Sequence, residues 1–93
     1  MTEEYVVFVG IKPPMAYVMA VLTQFQSGAH EVCLMARGKS ITRAVDVAEI
    51  VKNRAMPGVK DTKIEIATEH LTAEDGRNIN VSTIAITLAK PEA

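Results

Sequence analysis

A chain of 93 residues with 48% hydrophobic but only 4% aromatic content has room for one small domain, spanning 1–93, whose core must be built from Val, Ile, Leu, Ala and Met. A net charge of −1 excludes a protein that coats nucleic acid by bulk charge alone, and no apolar run reaches membrane-spanning length. The single cysteine, Cys33, excludes an intramolecular disulfide, and the early residues carry acids where a signal peptide carries cations, so a cytoplasmic protein is expected.

Charge is unevenly placed. Between residues 37 and 60 the cations Arg37, Lys39, Arg43, Lys52, Arg54 and Lys60 face only Asp46 and Glu49. Between 61 and 77 the balance reverses, with Asp61, Glu65, Glu69, Glu74 and Asp75 against Lys63 and Arg77.

The continuous apolarity of Tyr5 to Val9 predicts a first strand from Glu4 to Val9, buried on both faces. Gly10 ends it. Pro13-Pro14 suits a first helical turn, and Met15, Val18, Met19, Leu22 and Phe25 recur at helical spacing to about Gln26, with the methionines expected in the core. Gly28 is the stop. A second strand is expected over His30–Ala36, with His30 a surface residue rather than a metal ligand.

Ala36-Arg37-Gly38-Lys39-Ser40-Ile41 then forms a strand-to-helix junction. Gly38 admits positive φ or close approach of the backbone to a ligand. Ser40 can accept a bond from a free N–H of the following helix. Arg37 and Lys39 set positive charge beside the helix start, which suits a phosphate and equally suits a plain turn with solvated charges. The second helix is expected over Ile41–Arg54, burying Ile41, Ala44, Val45, Ala48 and Val51, with Arg43–Asp46 and Glu49–Lys52 able to pair. Pro57-Gly58 closes it. Two long strands, Lys60–Leu71 and Asn78–Leu88, flank the hairpin signal Asp75-Gly76, and Lys90-Pro91-Glu92-Ala93 reads as a fraying tail. The order is βαβαββ. It predicts an α+β two-layer sandwich with both helices on one face of a four-stranded mixed sheet and an extended hairpin arm.

No Ser-His-Asp set, paired carboxylates or metal signature is evident, so neither catalysis nor a cofactor is expected; Cys33 reads as a core strand residue rather than a nucleophile.

Three blocks in order carry a family resemblance: Gly10-Ile11-Lys12-Pro13-Pro14-Met15-Ala16-Tyr17-Val18, Ala36-Arg37-Gly38-Lys39-Ser40-Ile41 with Ala44 to Arg54, and Glu74-Asp75-Gly76-Arg77 with Val81-Ser82-Thr83-Ile84. From Val6 to about Leu88 the chain resembles the Alba family of small archaeal chromatin proteins. The resemblance implies a homodimer or heterodimer, associated with the chromosome, that binds double-stranded DNA, and often RNA, with little sequence preference. By position it implies Lys12, Arg37, Gly38, Lys39 and Arg77 as contacts, with Asn53 and Arg54 weaker ones.

The chain departs from the family pattern at several places. Ile11 and Met35 stand where lysines are usual, Ala16 where an asparagine is usual, Ala55 where a bulky aromatic joins neighbouring dimers, and Ala85 where an acid is usual. Weakened nucleic-acid affinity is therefore expected. The alternative is a scaffold repurposed or engineered around an apolar surface of Ile11, Met15, Met19, Cys33 and Met35, binding a small molecule or partner or hosting a designed activity.

Overall fold

The structure, a computed structural model, describes residues 5–91. Glu4, where the first strand was expected to begin, and Glu92-Ala93 of the expected tail lie outside them. The elements are β1 (Val6–Phe8), α1 (Pro14–Gln26), β2 (Glu31–Arg37), α2 (Ile41–Ile50), β3 (Lys60–Thr72) and β4 (Asn78–Ala89). They form a four-stranded sheet in the order β1-β2-β4-β3. β1 is parallel to β2, and β4 is antiparallel to both of its neighbours. This is the expected mixed sheet under two helices.

Strand alternation decides what the helices cover. Val32, Leu34 and Ala36 of β2 are buried, as are Ile86 and Leu88 of β4, their cross-strand partners or near neighbours. Val18, Val21 and Phe25 of α1 and Ala44, Val47 and Val51 of the second helical segment close over them, each at most 1% exposed. The opposite face carries Cys33, Met35 and Arg37 and has no helix on it.

Several expectations about which side chains are buried fail. β1 is an edge strand, so Val7 and Val9 are buried while Phe8 between them is 74% exposed. The buried stripe of α1 is Tyr17, Val18, Val21 and Phe25; Met15 and Met19 face outward, at 54% and 56% exposure, and do not fill the core. In α2, Val47 is buried and Val45 is not, because the helix is rotated relative to the expected stripe.

The α2 start and end also differ from expectation. Gly38–Ser40 make a single 3₁₀ turn ahead of α2. Ser40 has helical backbone angles, φ −79° and ψ −7°, so its hydroxyl makes no capping bond; a capping side chain needs extended backbone to reach back to the free amides. After Ile50 the helix widens into a π-type turn, Val51–Ala55, which lets the Met56 amide bond to the Val51 carbonyl at 2.8 Å. Lys52 in this turn pairs with Glu49, as expected, and with Asp61 of β3 at 2.7 Å. The Asp61 bond, then that of Glu49, raises the Lys52 ammonium above its ordinary pKa. Arg43 does not pair with Asp46; it donates to the Gly10 carbonyl.

β3 and β4 run 13 and 12 residues and form the long arm of a molecule measuring 51 × 31 × 19 Å. Gly76, at φ +86°, turns the arm, with its amide bonded to the Ala73 carbonyl. The expected fraying does not begin at Lys90. Its amide reaches the His30 carbonyl at 3.0 Å, and its ammonium reaches the Phe25 carbonyl at 2.9 Å over the Phe25 ring.

Candidate nucleic-acid interface

Parallel strands bring their C-terminal ends together. β1 and β2 are parallel with Phe8 opposite Met35, and the Val9 amide extends the pairing to the Met35 carbonyl at 2.8 Å. The loop after β1, carrying Ile11 and Lys12, therefore lies beside the turn after β2, carrying Arg37, Gly38 and Lys39. Each leads into a helix, α1 at Pro14 and α2 at Ile41. Two helix N-termini and three exposed cations, Lys12, Arg37 and Lys39, share one end of the sheet. The cations and the positive ends of the two helix dipoles there favour an anion.

The backbone of this end is built for the position. Gly38 has φ +57°, a left-handed angle that an L side chain resists, although a Cβ there would meet only Val81 at 3.6 Å. The requirement is conformational rather than one of space. The first loop is held from beneath. The buried Tyr17 hydroxyl accepts the amides of Gly10 at 2.9 Å and of Lys12 at 3.0 Å. Arg43, from the first turn of α2, donates to the Gly10 carbonyl at 3.1 Å. Tyr17 and Arg43 were not among the expected site residues. Tyr17 carried a weak signal, a hydroxyl within the apolar face of a helix that needs a partner nearby. Arg43 carried none, since its partner is a main-chain carbonyl 33 residues away.

The other expected residues stand elsewhere. Arg77 sits at the hairpin, about 20 Å along β4 from Thr83, the partner of Arg37. Its guanidinium is held by Asp75 at 2.7 Å. Asn53 and Arg54 are exposed at the far end of the second helix, about 20 Å from its start, and do not join the cluster. Arg37 is itself paired with Glu69 of β3 at 3.2 Å, an exposed pair of small energetic weight. Glu69, grouped in sequence with the acids of residues 61–77, thus meets a cation of the basic stretch of residues 37–60.

The five-residue apolar surface does not assemble. Met15 and Met19 lie on the outer side of the helix layer, while Cys33 and Met35 lie on the opposite sheet face. Ile11, 91% exposed, stands in the first loop. Strand alternation forces this split, because Val32, Leu34 and Ala36 take the helix side. Among the described residues no group of three or more His, Cys, Asp or Glu is placed to hold a metal ion, and no helix is long and apolar enough to cross a membrane.

Comparison with known proteins gives a consistent picture. The model of the Alba family matches residues 6–68. The DNA/RNA-binding protein Alba of Methanocella arvoryzae is 52% identical over 93 residues, covering 100% of this chain and 97% of that protein. The DNA/RNA-binding protein Alba 1 of Archaeoglobus fulgidus is 60% identical over 84 residues, covering 90% of this chain and 93% of its own. The solved structure of Alba from Thermoplasma volcanium superposes with a TM-score of 0.85 at 48% identity, covering 91% of this chain and 99% of that one. The repurposed-scaffold alternative has no support in these likenesses.

The loop clamp yields a direct test. Tyr17→Phe leaves the Gly10 and Lys12 amides without their acceptor and is expected to lower stability by about 1–3 kcal/mol in urea denaturation. Hydrogen exchange at those two amides should accelerate beyond the rest of the chain. Unchanged exchange at both would show that the hydroxyl does not hold the loop.

Proposed function

Because this chain belongs to the Alba family, we propose that it binds double-stranded nucleic acid, both DNA and RNA, without reading sequence. Relatives named DNA/RNA-binding proteins support the class of ligand. The observation that carries the reading to particular residues is the convergence of Lys12, Arg37 and Lys39 at the shared end of β1 and β2, beside two helix N-termini. Each cation contacts a phosphate, with Gly38 letting the main chain approach. Phosphate contacts position the protein and leave the base edges unread. Arg77 adds a contact along the arm once it releases Asp75; Asn53 and Arg54, at the far end of the second helix, contribute least. Affinity is modest, since Ile11 gives the loop a large exposed apolar side chain and no charge, and Met35 does the same on the neighbouring strand. Such a protein works in the cytoplasm, on the chromosome.

The working unit is a dimer, of like or related chains. Its seam is the groove between α2 and β3. Ile41 and Val45 stand one turn apart on α2, and Ile64 and Ile66 project from the helix side of β3 at 58% and 81% exposure. A domain this small gains from burying such side chains against a second copy. Ile66→Glu is expected to leave the chain monomeric in sedimentation equilibrium at micromolar concentration. A dimer of unaltered strength would move the seam elsewhere.

The ligand contacts are tested by charge. Lys12→Gln, Arg37→Gln and Lys39→Gln should each weaken binding to random-sequence duplex DNA at low salt, by similar factors on unrelated sequences. Ile11→Lys should strengthen it. Binding insensitive to all four would remove the phosphate role from this cluster.

A further inference from the structure

The aromatic residues are few, and one of them is left in water. Tyr17 and Phe25 are buried and Tyr5 packs against the core, but Phe8 is 74% exposed. It stands on the sheet face that neither helix covers, directly across from Met35 of β2. An open groove on that face is lined by Phe8, Met35, Arg37, Glu69 and Thr83. It is continuous with the phosphate cluster, because Arg37 belongs to both.

The groove is chemically unlike a phosphate site. One wall is an apolar ring. Another is the Glu69 carboxylate, which repels phosphate but accepts hydrogen bonds from a base edge. Arg37 occupies only one of its oxygens, leaving Oε2 open. An aromatic ring on an open sheet face is a stacking platform for an unpaired base, and base–aromatic stacking is the means by which proteins hold single strands. Guanine alone among the common bases presents two adjacent donors, N1–H and N2–H, on its Watson–Crick edge, a match for the two oxygens of a carboxylate.

We infer that Phe8, Arg37 and Glu69 form a pocket for an unpaired guanine of RNA, next to the duplex-binding cluster. The base stacks on Phe8 and offers its donor edge to Glu69. Arg37, released or shared by Glu69, turns to the phosphate of the same nucleotide. The inference rests on the nucleic-acid-binding reading above and adds a second ligand form to it. A protein so equipped holds duplex at its cationic end and an adjoining single-stranded guanine on its sheet, as at a hairpin loop or a duplex end.

The test uses the full chain with two fluorescent RNA ten-mers, all uridine and uridine with one central guanosine, and with random duplex DNA as reference. The guanosine strand should bind several-fold more tightly than the uridine strand. Phe8→Leu, which keeps an apolar side chain, should weaken the guanosine strand about five- to a hundredfold, and Phe8→Tyr should restore it. Glu69→Gln should abolish the preference between the two strands. Duplex affinity should stay unchanged in both Phe8 variants. Equal affinity of Phe8→Leu and the unaltered protein for the guanosine strand would overturn the pocket. So would parallel losses on strand and duplex, or a changed sedimentation mass for Phe8→Leu, since either means that Phe8 acts through the fold or the dimer. Failure of the duplex reference alone would count against the phosphate cluster and leave the pocket standing on the strand data.

Discussion

The Tyr17 hydroxyl is the point on which the cationic end of the molecule depends. It accepts two main-chain amides, from Gly10 and Lys12, while Arg43 donates to the Gly10 carbonyl from another helix. The loop between β1 and α1 is thereby tied to its own helix and to the next one. Amides partly shielded from water need such partners, since leaving them unpaired costs up to about as much as a typical single mutation. The arrangement converts a short loop ending at Pro13 into a fixed ledge. Lys12 is carried on that ledge next to the Arg37–Lys39 turn, which Gly38 shapes by its left-handed angle.

One-sided cover of the sheet explains most of what remains exposed. The helices close over Val32, Leu34, Ala36, Ile86 and Leu88 and leave the other face open. Phe8 and Met35 stand on that open face, and Ile64 and Ile66 lie beyond the reach of α2 on the helix side. Charge is restrained in the same economical way. Arg37 meets Glu69, Arg77 meets Asp75, and Lys52 is shared between Glu49 and Asp61. These pairs are mostly exposed and weak, so a phosphate can compete for Arg37 and Arg77. They still reduce the field that a duplex meets at a distance, in keeping with a net charge of −1.

The element order and nearly all the element bounds were legible in the sequence, because helical and strand periods, Gly28, Gly58 and the Asp75-Gly76 turn are local signals. So was the Arg37–Lys39 junction as a strand-to-helix turn, whose residue types suit an anion and solvated charges equally. Which side of each element is buried was less legible. Met15 and Met19 have the right spacing for a core stripe, yet Tyr17 and Val21 take that place, since a four-aromatic chain still buries its Tyr17 ring for the sake of its hydroxyl's bonds. Phe8 sits in an unbroken apolar run, and nothing local says that β1 lies at the sheet edge. The Arg43 bond to the Gly10 carbonyl and the Arg37–Glu69 pair join residues 33 and 32 apart, so they emerge only with the topology; the Tyr17 bonds are local in sequence, but their partners are main-chain amides, which no residue type announces.

The central claim is that nucleic acid is held by phosphate contacts from Lys12, Arg37 and Lys39 at one end of the sheet. The most direct measurement is the affinity of the unaltered protein for random-sequence duplex DNA across a salt series. Each phosphate neutralised contributes roughly 0.9 to the slope of log affinity against log salt. Three contacts from each of two subunits give an expected slope of about −5. A slope near zero, with measurable binding at high salt, would contradict the claim and assign the interaction to the apolar surface of the sheet instead.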